Sequence, residues 1–240
     1  FKKPFSSNLT LIDEKTGFGW KGLGSRLIMV DNERKEYVYQ AIEPQLNEKQ
    51  EQRKNKLIFL FKKYADIDVY EGGLDEKRKI LEQALEKLIH DKQFKIEDGE
   101  KDIIFYYIFR EFVGYGRIDI LMNDSDIEDI SCDGHAIPIF VVHKKYESIK
   151  TNIIYQDADE LDSFVIKLSQ MCGKQISVFE PIVDGKLADG SRLQTTLGRT
   201  ITMRSTFTIR RFREDPLTPI DLLNNNTMSI DLAAYFWLAI

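Results

Sequence analysis

Cysteine is scarce in this chain: Cys132 and Cys172 are the two present in 240 residues. That is too few for a disulfide framework at this length and favours a reducing compartment, with the cytosol as the default. Histidine is nearly as rare, and His90, His135 and His143 fall in three different segments. No Ser/His/Asp or Cys/His constellation is recognisable, so a self-contained hydrolase is not expected. Cys132 and His135 have Cys-x-x-His spacing, but His143 and Cys172 complete no standard zinc pattern, and no metal site is expected. Long apolar runs are missing too. Nothing approaches the roughly 18 uninterrupted apolar residues of a membrane span, and Phe1-Lys2-Lys3-Pro4 opens without a signal-peptide core, so membrane contact is expected only through partners. There is no large excess of one charge: the formal net charge is -5 with 30% charged residues. This argues against a whole-surface nucleic-acid or anionic-membrane binder, and any anion site has to be local.

What is present reads as a globular α+β chain long enough for two domains. Residues 1–46 form an amino-terminal β segment, with strands over Arg26–Val30 and Glu36–Ile42 joined at Asp31-Asn32 and ended by Pro44. Residues 47–113 switch to helical period. Asn47 is a cap for Glu48–Lys63, and Leu74, Leu81, Ala84, Leu85, Leu88 and Ile89 stripe a second helix. The third helix, Ile103 through Val113, is apolar nearly all round and is expected at the centre of a three-helix unit, stopped by Gly114 and Gly116. Its aromatic residues from Phe105 to Phe112 are read as core packing.

Residues 114–213 read as a mixed α/β domain with a mainly antiparallel sheet. Ile127–Cys132 and Ile139–His143 flank an Asp133-Gly134 turn, and Leu161, Phe164, Val165 and Leu168 mark a helix closed by Gly173. The carboxylate pairs Asp124/Asp126 and Glu128/Asp129 read as solvated charges in turns or on strand edges. Residues 214–240 carry linker chemistry at Asp215-Pro216-Leu217-Thr218-Pro219. A helix then begins near Ser229, with Leu232, Tyr235, Phe236 and Ile240 on an apolar face that nothing in the sequence covers.

Between Ser191 and Arg213 stand six arginines, Arg192, Arg199, Arg204, Arg210, Arg211 and Arg213, with no Asp, Glu or Lys among them. Planar guanidinium forks suit phosphate oxygens, and the use of Arg over Lys throughout points to anion geometry. The other reading is a basic strand neutralised by acidic neighbours such as Asp184, Asp189 or Glu214, and the segment alone does not choose between them. Strand alternation puts Thr208, Arg210 and Phe212 on one side and Phe207, Ile209 and Arg211 on the other, so a regular strand cannot send Arg210 and Arg211 into one pocket.

The run Gly114-Tyr115-Gly116-Arg117-Ile118-Asp119-Ile120-Leu121, then Ile127-Glu128-Asp129-Ile130, resembles the start of the conserved region of type II and type IV secretion ATPases. Pro181 through Leu193, including Asp189-Gly190-Ser191-Arg192, and Phe207-Thr208-Ile209-Arg210-Arg211-Phe212 are similar to that family's second amino-terminal domain. Pro216-Leu217-Thr218 and Asp221-Leu222 resemble its linker. Tyr37-Val38-Tyr39-Gln40-Ala41-Ile42-Glu43-Pro44 resembles the archaeal branch, the motors of archaeal pili and archaella.

The resemblance implies a fold and a role. The chain would be the amino-terminal region of a hexameric secretion or type IV pilus assembly ATPase at the cytoplasmic face of the membrane, with residues 214–240 leading into an ATPase core that is absent. ATP and magnesium would sit on that core. Arginines of the present region would reach the phosphates and transmit nucleotide-driven domain motion. Arg192 and Arg210 match the family's motif arginines and Arg204 lies in a compatible strand. With Arg211 they make the candidate cofactor-binding set, and no catalytic residue is assigned. Implied partners are the chain's own carboxy-terminal ATPase domain, further copies in a homohexamer and a polytopic membrane platform protein, without nucleic acid. A Gly-x-x-x-x-Gly-Lys-Ser/Thr loop is absent, since Gly173-Lys174 continues to Gln175 and Gly185-Lys186 to Leu187, so this chain alone is not expected to hydrolyse ATP or to hold it tightly. Two alternatives stand beside this: a docking module for the platform protein without a nucleotide role, and a self-contained ligand sensor. Gly17-Phe18-Gly19-Trp20-Lys21-Gly22 matches a dinucleotide fingerprint formally, but a strand-like run follows it where a helix is required, so it reads as a turn.

Overall fold

The computed structural model describes residues 8–64, 74–97, 99–212 and 218–239. The fold is α+β, and its frame is one nine-stranded sheet in the order β1-β2-β3-β6-β5-β4-β9-β8-β7. β1 (Leu9–Phe18), β2 (Gly24–Asp31) and β3 (Glu36–Ile42) form an antiparallel meander. β1 was not legible in the sequence. It carries Asp13, Glu14 and Lys15 mid-strand, and two register shifts against β2 break its alternation. Gly17 to Gly22, the formal fingerprint, makes the β1–β2 connection, with positive φ at Gly17, Gly19 and Gly22.

The meander meets the rest of the sheet through β3 and β6 (Glu147–Ile154), which run parallel with Val38 opposite Lys150 and Tyr39 opposite Thr151. The remaining strands, β4 (Ile127–Cys132), β5 (Pro138–His143), β7 (Ile182–Lys186), β8 (Arg192–Thr196) and β9 (Thr206–Arg210), pair antiparallel with their neighbours.

Three helices follow the meander. Asn47 and Gln50 exchange side-chain and backbone hydrogen bonds of 2.9 Å, a capping box that starts α1 (Glu48–Tyr64). α2 (Leu74–Asp91) and α3 (Lys101–Phe112) complete the unit, with Leu57 and Phe61, Leu81 and Leu85, and Ile104, Phe105, Ile108 and Phe109 making one buried cluster. The Glu43-Pro44 step ties these helices to the sheet. Arg110 donates to both Glu43 carboxylate oxygens at 2.7 and 2.6 Å, Tyr106 to the same carboxylate at 3.1 Å, and Tyr107 to the Pro44 carbonyl at 2.5 Å.

The second core lies between the sheet and α5 (Ala158–Met171), whose Leu161, Phe164, Val165 and Leu168 pack against Ile130, Ile149, Leu193, Phe207 and Ile209. Short α4 (Asp119–Asn123) closes one end of that core with Ile120, Leu121 and Met122 buried. The opposite face of β4, β9, β8 and β7 is open to solvent.

Pro219 stands in the first turn of α6 (Pro219–Asn224), where no backbone N–H is needed, and Thr218 and Asp221 cap it reciprocally. Part of the segment with linker chemistry is therefore a helix start, with Pro219 in its first turn. α7 (Ile230–Ala239) begins at Ser229, whose hydroxyl accepts from the Leu232 amide at 3.2 Å. Its Ile230, Tyr235, Trp237 and Leu238 are exposed. Asp215-Pro216-Leu217, Arg213 and Ile240 lie outside the described residues. Among the described residues no helix is long and apolar enough to cross a membrane.

Candidate functional site

The turn between β7 and β8 organises the site. Asp189 accepts from the Ser191 amide at 3.0 Å and from its hydroxyl at 2.8 Å, and the Ser191 hydroxyl accepts from the Phe212 amide at 3.2 Å. Gly190 has φ +88°, a backbone conformation that favours glycine, and a Cβ there would crowd the Phe212 ring at 3.2 Å. The Asp-Gly-Ser-Arg motif thus clamps the end of β9 against the β7–β8 turn.

That clamp sets the register of the open face. Lys186 stands opposite Arg192, Arg192 opposite Arg210, and Arg210 opposite Asp129, giving one row across β7, β8, β9 and β4. Arg192 and Arg210 both project to solvent, at 73% and 77% side-chain exposure. Directly opposed residues on an antiparallel pair lie about 5 Å apart at their Cβ atoms, where like charges repel. Each arginine turns outward to a carboxylate. Arg192 donates from Nη2 and Nε to Asp184 at 2.6 and 3.3 Å, and Arg210 donates from Nε to Asp129 at 3.1 Å. The hydrogen bonds from Arg192 hold the Asp184 carboxyl below its ordinary 3.8.

The other two candidates go elsewhere. Arg211 leaves the strand on the buried side, where its Nη1 donates to the Asp124 and Leu121 carbonyls at 2.7 and 3.4 Å and braces the end of α4. Arg204 is not on the strand where the sequence placed it: it stands in a bend before β9 begins at Thr206, because the chain turns through Arg199–Ser205 first. Its side chain covers Gly134, and its Nη1 donates to the His135 carbonyl at 3.3 Å. The fold therefore brings together Arg192 and Arg210 and separates Arg204 and Arg211 from them. Arg199 pairs with Asp159 at 3.5 Å.

The segment itself lacks carboxylates, but neighbouring elements supply them, as the second reading of the arginines anticipated at Asp184. Lys186 joins the row unforeseen. Its signal was available, because the two strands flanking the Asp189-Gly190 turn put Lys186 and Arg192 opposite each other once the turn length is known. At the other end of these strands Val178, Phe179, Ile201 and Met203 are exposed on two loops joined by a 2.7 Å Leu197 amide to Pro181 carbonyl bond, an apolar tip of the kind found at contact surfaces.

A second ionic cluster is buried and was misread. Asp124 is fully enclosed rather than solvated. It accepts from Tyr39 at 3.0 Å and Lys15 at 3.1 Å, and the Arg26 Nε lies 3.0 Å from it in an ion pair too oblique for a hydrogen bond. Arg26 also donates to Asp13 and Asp126, both at 2.9 Å. The turn before β4 was open to solvation on sequence grounds, but β1–β3 fold over it and bring cations to it. His143 is buried beside this cluster and its Nδ1 accepts from the Lys145 amide at 3.1 Å. Burial lowers the His143 pKa below 6.5. Among the described residues no group of three or more His, Cys, Asp or Glu is arranged to hold a metal ion.

No protein-family model matches the chain. Among curated proteins it is 39% identical over 180 residues to uncharacterized protein MJ1288 of Methanocaldococcus jannaschii, covering 75% of this chain and 71% of that one. Two longer proteins of the same organism also match. MJ0781 is 35% identical over 125 residues, 52% of this chain and 17% of that protein. MJ0900 is 34% identical over 151 residues, 62% of this chain and 27% of that protein. Among solved structures, the VirB11 ATPase from the Brucella suis type IV secretion system in complex with sulphate overlaps 47% of this chain and 35% of its own, at TM-score 0.37 and 17% identity. With 39% identity across 71% of the relative's length, the chain belongs to the family of Methanocaldococcus jannaschii MJ1288.

Proposed function

We propose that this chain is the amino-terminal region of a hexameric secretion or pilus-assembly ATPase, and that Arg192 and Arg210 meet the phosphates of ATP held with magnesium on the ATPase core of the parent protein. The observation that carries the reading is the in-register row Lys186, Arg192 and Arg210, three exposed cations on adjacent strands of an acidic chain. It stands at the end of β9, two residues before Phe212, after which the chain continues toward α6 and α7. The motif resemblances in chain order support the family assignment, and the exposed apolar side chains of α7 fit a seat against a core domain.

In this role the arginines bind and orient. Guanidinium groups approaching the transferring phosphoryl stabilise charge that develops in the transition state, and their arrival with domain closure couples nucleotide state to movement. Arg204 and Arg211 are left out of the contact, because the first sits in the bend before β9 and is held to the His135 carbonyl, and the second braces α4.

The test is turnover. In the parent ATPase, Arg192→Ala and Arg210→Ala are expected to lower kcat by about 100-fold or more, in the range of other charge-stabilising donors. The thermal unfolding of the 240-residue chain should stay unchanged, since both side chains are exposed. Undiminished turnover in both variants would overturn the reading.

A further inference from the structure

Resting on the phosphate reading of the arginine row, we infer that Asp129 and Asp184 are built-in competitors of the anion. They hold Arg192 and Arg210 apart and neutralised until a polyphosphate displaces them, and so set the affinity of the site low.

The geometry has three parts. The arginines are directly opposed across β8 and β9, so a ligand between them can engage both. Each guanidinium is instead drawn away from the other, Arg192 toward β7 and Arg210 toward β4, by a carboxylate on the flanking strand. The arginines are mostly open to water, Asp184 is half open and Asp129 about a quarter open, so solvent and salt screen both pairs, that of Arg192 more than that of Arg210. A polyphosphate brings several charged oxygens to two planar forks at once, with Lys186 next in the row, and a lone carboxylate cannot match that.

The pairing is therefore an exchange equilibrium. Without ligand, the row carries three cations against two carboxylates and repels itself little. With ligand, both carboxylates are released to water, and each release subtracts from the binding free energy. A site built this way discriminates against singly charged anions, which can replace one carboxylate but not two. It also favours release once the ligand loses charge or its second contact.

The experiment uses inorganic triphosphate as probe and the 240-residue chain at low ionic strength, following the arginine Nε–H resonances by NMR. Asp129→Asn with Asp184→Asn is expected to tighten binding about three- to tenfold. A charge-matched control, Glu14→Gln with Glu36→Gln, changes net charge equally at a distance and should shift binding less than about twofold. Arg192→Ala with Arg210→Ala should abolish it. If the Asp129/Asp184 variant behaves like the control while the arginine variant loses binding, the competitor role is refuted and the phosphate reading stands. If triphosphate binds the arginine variant as well as the original chain, or binds none of the four proteins, the phosphate reading falls and the competitor role with it.

Discussion

Asp124→Ala is the sharpest probe of how the amino-terminal strands are held. Asp124 has no solvent exposure, while Arg26 has 3% of its side chain exposed. The substitution takes the acceptor from the Tyr39 hydroxyl, the Lys15 ammonium and the Asp126 amide, and takes one of three carboxylates from Arg26. Breaking a buried pair by removing one partner costs about 3–5 kcal/mol, and a stranded buried hydroxyl adds about 1–3 kcal/mol. Arg26 keeps Asp13 and Asp126, which places its share at the low end, so a total near 4 kcal/mol is expected. For a chain of this size that lowers Tm by about 8–16 °C. Urea unfolding measures the free energy, and hydrogen exchange localises it, with β1 and β2 amides losing protection before those of β8 and β9. Asp124→Asn, which keeps an acceptor for Tyr39 but not the charge, should fall between. A cost below about 1 kcal/mol for Asp124→Ala, or uniform loss of protection, would refute the claim that this cluster pins the meander.

Two further expectations concern pH. Burial raises the Asp119 carboxyl above its ordinary 3.8, while its Oδ1 accepts from the Tyr115 amide at 3.0 Å. A raised folded pKa gives stability present below pH 3.8 and lost as pH rises through the folded value. Asp119→Asn should therefore raise Tm at pH 7, with the gain fading in acid; a large loss at pH 7 would count against it. For His143 the sign is opposite. Its depressed folded pKa gives stability present above 6.5 and lost as pH falls through the folded value. Unfolding free energy should decline on acidification below pH 6.5, and His143→Gln should flatten that slope in a titration of urea midpoints.

The elements with long, regular patterns were legible. α1, α2 and α3 follow their apolar stripes and caps, and β2, β3, β4, β5 and α5 lie where alternation or helical period put them. What escaped has physical reasons. β1 is interrupted by charges and bulges, and α4 is five residues long, too short to show a period. β6 does alternate, with Ile149, Thr151 and Ile153 inward, a pattern present in the sequence. Within the site, alternation on β9 correctly separated Arg210 from Arg211. The register of β8 against β9 and β9 against β4 is set by long-range pairing that the sequence does not encode locally, whereas Lys186 opposite Arg192 follows from the short turn at Asp189-Gly190. Asp124 failed for the same reason, because its cations come from strands about a hundred residues earlier.

The two ionic arrangements use the same chemical groups to opposite ends, and burial decides which end. Around Asp124 the enclosed carboxylate and the Arg26 guanidinium are desolvated together, so separating that one pair leaves a charge that water cannot reach, while Asp13, Asp126 and Lys15 at its edge keep access to water. Around Arg192 and Arg210 the two guanidinium groups are largely in water, Asp184 is half exposed and Asp129 about a quarter, so these pairs add little to stability. Arg211 sits between the regimes, with its fork spent on backbone carbonyls of the α4 turn. The strand that carries Arg210 into solvent is held by Arg211 to the turn that contains Asp124, so the exposed pair is mounted on the buried one.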